Sequence, residues 1–225
     1  MLPRRALSHV LILLFTCSIR VGSTGNDIDS NGNFDTTLNL IKVVNTSEYL
    51  WLYHQTYSNA FVISKQNINF TVETTCIRRK MTGLTLYEYN FTEIDMMEQT
   101  NIGGNYTGRF IYNRENKNDI MNTNPPRSMN VYEEGETDPD YWTILEYTEP
   151  DTYSCSVFVL YFFGNEITND FDKCEMYVRN SHIQKGATLG CETFFNKRCP
   201  GKQYYPYSSH CTNKGNYNND NTLYQ

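Results

Sequence analysis

Glu175, Met176 and Tyr177 form the triplet best suited to handling a small polar ligand. Along a strand side chains alternate, so Glu175 and Tyr177 share one face while Met176 and Val178 share the other. A carboxylate beside a phenol, next to greasy neighbours, suits a cationic or hydroxyl head group. The plainer reading of Glu175 is an ordinary solvent-facing strand residue. Trp51, Tyr53, Trp142 and Tyr161 are candidates to line the same space, because ring faces hold cations and apolar bodies alike; plain core packing is the commoner role for the two tryptophans, and the two tyrosine hydroxyls either orient cargo or bond the backbone. Catalysis has no comparable set. His9, His54, His182 and His210 show no spacing with a serine or cysteine that would make a nucleophile dyad, and no phosphate loop or paired-carboxylate motif is present. No cysteine pair has the CxxC spacing of a zinc or redox site. No catalytic residue, metal or cofactor is therefore expected.

The elements that must position the triplet read as strands. The run 155–163 is apolar on both faces, with Cys155, Val157, Val159 and Tyr161 on one and Ser156, Phe158, Leu160 and Phe162 on the other. A strand covered on both sides suits a barrel wall packed from within and from without. Further extended runs fall at 49–57, 68–76, 85–91, 106–112, 128–132, 141–147 and 174–178. In the first, Trp51, Tyr53, Gln55 and Tyr57 share a face; in the second, alternation places Phe70 and Val72 in the core. Residues 94–104, 113–127 and 133–140 read as loops. Phe34, Leu38, Ile41 and Val44 recur at helical spacing, predicting a short helix over 34–45 that either closes a barrel end or packs on an outer face. A second helix around Ala187 to Phe195 leans on the barrel and ends at Cys199. The sum is an all-β fold: an eight-stranded antiparallel barrel with a short N-terminal helix and a C-terminal helix packed on it. Eight strands leave room for one small ligand.

The ends of the chain set the compartment. Arg4 and Arg5, an apolar run and small residues near Gly22-Ser23 predict a cleaved signal peptide over 1–23. A flexible arm is expected over 24–33, the barrel domain over 34–211 and a disordered polar tail over 212–225. Losing the signal removes three arginines and no acid, moving the formal charge from −6 to −9. Such an acidic surface argues against nucleic acid and membranes as partners. Six cysteines remain, an even count that predicts three disulfides in an exported chain and leaves their connectivity open. Sequons at Asn45, Asn69, Asn90 and Asn105 are expected to carry glycans.

The chain resembles the tick salivary lipocalins of the histamine-binding-protein family. The likeness rests on the 49–57 strand ending in Gln55-Thr56-Tyr57, on the cysteine layout, and on Cys155-Ser156-Val157, Glu175-Met176-Tyr177 and Cys191 standing at the family's signature spacing. It implies a lipocalin barrel, disulfides Cys155–Cys191 and Cys76–Cys211, and with them Cys174–Cys199. It also implies ligand-lining positions at Ser156, Glu175 and Tyr177. Ser156 stands where the family carries aspartate, and Asp35-Thr36-Thr37 replaces its Asp-Ala-Trp. An acid and an indole are thus missing from an amine site, a loss worth several kcal/mol. The expected function is a secreted, monomeric lipocalin that sequesters a small host mediator, either a biogenic amine such as histamine or serotonin or an amphipathic lipid. The alternative is a scaffold whose loops bind a host immune or clotting protein.

Overall fold

In the computed structural model, which describes residues 38–65, 68–112, 125–163 and 173–212, ten strands and two α-helices are present. In chain order they are α1 (Leu40–Val44), β1 (Tyr49–Gln55), β2 (Ala60–Lys65), β3 (Ile68–Glu73), β4 (Thr75–Leu84), β5 (Glu88–Met97), β6 (Thr100–Ile111), β7 (Ser128–Glu133), β8 (Tyr141–Thr148), β9 (Cys155–Phe162), β10 (Lys173–Arg179) and α2 (Leu189–Arg198). Eight of the strands close into an antiparallel barrel in the order β1-β10-β9-β8-β7-β6-β5-β4. The expected signal peptide, the arm, the Asp35 motif and residues 213–225 of the polar tail lie outside the described residues.

Two layers of apolar side chains sandwich the wall. Phe158 and Leu160 of β9 point inward with Leu50, Leu52, Tyr89, Phe91, Met129 and Leu145. Cys155, Val157 and Val159 point outward with Met176, Val178 and Phe195 of α2. The double-sided apolar pattern of β9 thus has this cause: barrel interior on one side, helix on the other. α2 begins at Thr188, whose hydroxyl accepts from the Cys191 N–H. Disulfides Cys155–Cys191 and Cys174–Cys199 tie it to β9 and β10. A third joins Cys76 to Cys211. All three are the pairs implied by the resemblance.

α1 is shorter than the helix predicted over 34–45, and it seats against one end of the barrel. Leu40, Val43 and Val44 are buried with the interior cluster, each such burial worth about 1.5–3 kcal/mol. The Arg179 guanidinium donates to the Lys42 and Val43 carbonyls, holding α1 to the end of β10. This end is shut.

Three expectations are corrected. The run 68–76 is not one barrel strand: 68–73 is β3, which pairs with β2 in a separate two-stranded ribbon, and only Thr75 and Cys76 join the barrel, at the start of β4. Val72 is therefore buried while Phe70, expected in the core, is 50% exposed. Residues 94–104 are not a loop, because β5 and β6 continue through them and turn at Glu98 and Gln99, both with positive φ. A two-residue turn of that geometry usually announces itself with Asn-Gly or Asp-Gly, and this one does not. Finally, the eighth wall strand is β4, whose Arg78-Arg79-Lys80 run reads as polar. The outward faces of β5 and β6 carry two sequons that interlock: Thr107 donates to Asn90, and Thr92 donates to Asn105.

The barrel has a seam. β1 and β4 pair from Tyr49 to Trp51. Beyond that point a C-terminal strap bridges them: Gln55 and Tyr204 exchange backbone bonds at 3.0 and 2.8 Å, and the Cys76 N–H donates to the Pro206 carbonyl at 2.8 Å. The Cys76–Cys211 disulfide fastens this strap. Replacing both cysteines with serine is expected to cost roughly 2–5 kcal/mol in urea unfolding. Amide exchange should quicken at Gln55 while β9 stays protected, and an unchanged midpoint would show that the strap does not hold the seam.

Candidate ligand-binding site

At the end opposite α1 the interior changes from hydrocarbon to charge. β4 sends Ile77, Arg79 and Met81 inward, and β5 sends Tyr89, Phe91, Glu93 and Asp95. Period-two alternation therefore runs from the apolar floor into ionisable groups on both strands. Arg79 is 6% exposed, and its Nε donates to Glu93 Oε2 at 2.7 Å. Its Nη2 donates to the Tyr141 hydroxyl at 3.1 Å and reaches Glu175 Oε2 at 3.5 Å. The guanidinium also lies 4.5 Å from the Tyr177 ring centroid and 5.1 Å from that of Phe91. Burial opposes its charge, but phenols and carboxylates outweigh burial and hold the proton firmly.

Glu175 and Tyr177 both face the interior and touch. The Tyr177 hydroxyl donates to Glu175 Oε2 at 3.0 Å, and the Tyr57 hydroxyl donates to Oε1. Burial raises the Glu175 pKa, with Arg79 pulling it down and Glu93 pushing it up. Asp95 is pushed up to about 7, first by burial and then by Glu93, against the pull of Arg79 and Arg78. Glu175, Tyr57 and Asp95 border a cavity of about 280 Å³, while Tyr177 stands behind Glu175 and does not line it. Leu52, Ile77, Leu160 and Phe162 supply its apolar wall, Tyr57, Tyr106 and Tyr141 its phenols, and Glu93, Asp95, Asp140 and Glu175 its carboxylates; Asn59, Thr74 and Arg79 complete it.

The remaining candidates lie elsewhere. Ser156 faces inward beside Tyr177, but its hydroxyl is spent on Thr148 at 2.8 Å and does not border the cavity. Trp51 faces outward, donating to Asn180 Oδ1 at 2.8 Å and meeting Tyr207 edge-on. Tyr53 stacks on His54 at 4.7 Å, and Trp142 on Tyr161 at 5.0 Å, on the outer wall. The odd-numbered residues Trp51 and Tyr53 share a face as expected; it is the outer one. A register shift between Leu52 and His54 breaks the alternation, so Tyr57 does not follow them and instead enters the cavity. His54 is buried under Tyr205, and burial pushes its pKa down to about 4. Two groupings hold several potential metal-ligating atoms, Cys76-His210-Cys211 and Glu149-Cys155-Cys191, yet their cysteines are oxidised to disulfides.

Arg79, Glu93, Asp95, Tyr57, Tyr106, Asp140 and Tyr141 were not singled out by sequence. The available signal was the alternation Ile77-x-Arg79-x-Met81 and Tyr89-x-Phe91-x-Glu93-x-Asp95.

A closed eight-stranded antiparallel barrel with a lateral helix, one end shut and one holding a cavity, is a lipocalin-type fold. No family model matches the chain, and no curated protein matches it. Among solved structures it is similar to Japanin from Rhipicephalus appendiculatus bound to cholesterol, at 9% identity over 74% of this chain and 96% of that one, with a TM-score of 0.46. It is also similar to AM182 in complex with serotonin, at 16% identity over 80% of this chain and 95% of that one, with a TM-score of 0.49.

Removing the buried cation is the sharpest probe of this cluster. Arg79→Met leaves Glu93 and Glu175 without their counter-charge and is expected to cost about 3–5 kcal/mol at pH 7. Glu175, whose pKa burial already raises, then loses the charge that pulls it down, so stability falls as pH rises and the deficit should shrink between pH 7 and pH 5. Urea titrations at the two pH values measure this; a small, pH-independent loss would contradict the pairing.

Proposed function

We propose that the protein is a secreted lipocalin, of the tick salivary histamine-binding type, that sequesters a small cationic mediator such as a biogenic amine by stoichiometric binding without turnover. The observation that carries this reading is the charge of the cavity: four carboxylates border it against one guanidinium, and that guanidinium is already engaged by Glu93 and Glu175. A protonated amine leaving water regains its solvation from carboxylates, phenol oxygens and ring faces, all present here. An anionic fatty acid or eicosanoid meets repulsion instead. A volume near 280 Å³ stands at the small end of ligand pockets, which favours a compact amine over a sterol.

Export is supported by three disulfides and the apolar leader. No helix among the described residues is long and apolar enough to cross a membrane. Glycans at Asn45, Asn69, Asn90 and Asn105 belong to the same proposal. A second reading, a scaffold for a host protein partner, draws on the β2–β3 ribbon, where Phe61, Val62, Ile68 and Phe70 are exposed.

Calorimetric titration separates the readings. Serotonin or histamine should bind the secreted protein one to one, and palmitate at least about a hundredfold more weakly, equivalent to roughly 3 kcal/mol. Tighter binding of palmitate or cholesterol than of either amine would overturn the cargo class, and no binding of any of them would favour the scaffold.

A further inference from the structure

We propose that Asp95 is the residue that receives the cationic centre of the ligand. This rests on reading the cavity as an amine site, and it assigns the work within that site. Glu175 already accepts from Tyr57 and Tyr177 and faces Arg79, while Glu93 takes the Arg79 Nε at 2.7 Å. Asp140 stands exposed at the rim, where water solvates it. Asp95 differs from all three. It borders the cavity, and its Oδ1 is buried with no hydrogen-bond partner among the described residues. A buried acceptor left unpaired is costly, and an ammonium donor entering the cavity satisfies it.

The charged and titratable groups facing Asp95 come from several strands: Arg78 and Arg79 from β4, Glu93 from β5, Tyr106 from β6 and Glu175 from β10. Because Arg79 is divided between two other acids, the balance around Asp95 favours an added cation. Burial and Glu93 hold the Asp95 pKa near 7 in the empty cavity. An ammonium placed against it lowers that pKa, so cargo enters as a proton leaves. The sign follows: the bound state holds fewer protons, and affinity rises with pH until Asp95 is fully ionised. A primary alkylammonium keeps its charge to about pH 10, so the ligand does not titrate in this window.

The experiment titrates serotonin into the full secreted chain at pH 6 and pH 8, in two buffers of different ionisation enthalpy, for the wild type, Asp95→Asn and Asp140→Asn. With a pKa near 7, wild-type affinity should rise about tenfold across this range, and the protons released per serotonin should fall from about 0.9 at pH 6 to about 0.1 at pH 8. Asp95→Asn should bind about tenfold or more weakly at pH 8 and lose the pH dependence, while Asp140→Asn changes affinity less than about threefold. Its melting temperature at pH 8 should equal or exceed that of the wild type, since it removes a charge that burial disfavours. If it melts lower, the proton count on the wild type decides: release supports the assignment and its absence overturns it. An Asp95→Asn protein that binds serotonin with wild-type affinity and pH dependence overturns the role of Asp95 alone. A wild type that ignores serotonin at both pH values removes the amine reading itself.

Discussion

A buried guanidinium governs this barrel. Arg79 sits inside the wall with Glu93 on one side, Glu175 on the other and aromatic rings against its faces. Desolvating a cation and two carboxylates costs several kcal/mol per ion, and only close pairing and hydrogen bonds offset that. Once paired, the cluster dictates what lies around it. Tyr57, Tyr141 and Tyr177 supply the remaining hydrogen bonds, and apolar side chains fill the barrel from the cluster to α1. The interior is thus divided into a dry, filled half and a polar chamber.

The division gives one fold both a rigid packed half and an acid-lined chamber. The filled half, sealed by Leu40, Val43 and Val44, holds the strands in register. The outer layer beneath α2 is fixed by two disulfides, so the wall beside β9 and β10 is braced from both faces. Next to β10, the seam between β1 and β4 depends on the strap at Tyr204 to Pro206, which bonds to Gln55 and Cys76. Glu175 and Arg79 stand on the two strands flanking β1, which makes this seam a boundary of the chamber.

Much of this was legible in the chain. The double-sided pattern of β9, the alternation of Glu175 and Tyr177, the late helix and the cysteine layout all follow local rules that tertiary structure did not override. β4 was hidden because three consecutive basic residues mask its alternation; only Arg79 of the three turns inward, and its partners lie 14 and 96 positions away. Tyr57 was assigned to the wrong face because a one-residue register shift in β1 cannot be seen from periodicity. Trp51 and Trp142 attracted attention by type, yet both pack outside the wall. Aromatic identity says less about a lumen than the parity of a position along its strand.

The central claim is that the ion cluster stays intact while cargo occupies the acid-lined chamber beside it. A crystal structure of the protein grown with saturating serotonin tests this most directly. The account predicts the ammonium against the Asp95 carboxylate, with Arg79 still bridging Glu93 and Glu175. Serotonin found on the outer wall, or Arg79 swung away from both carboxylates, would contradict it.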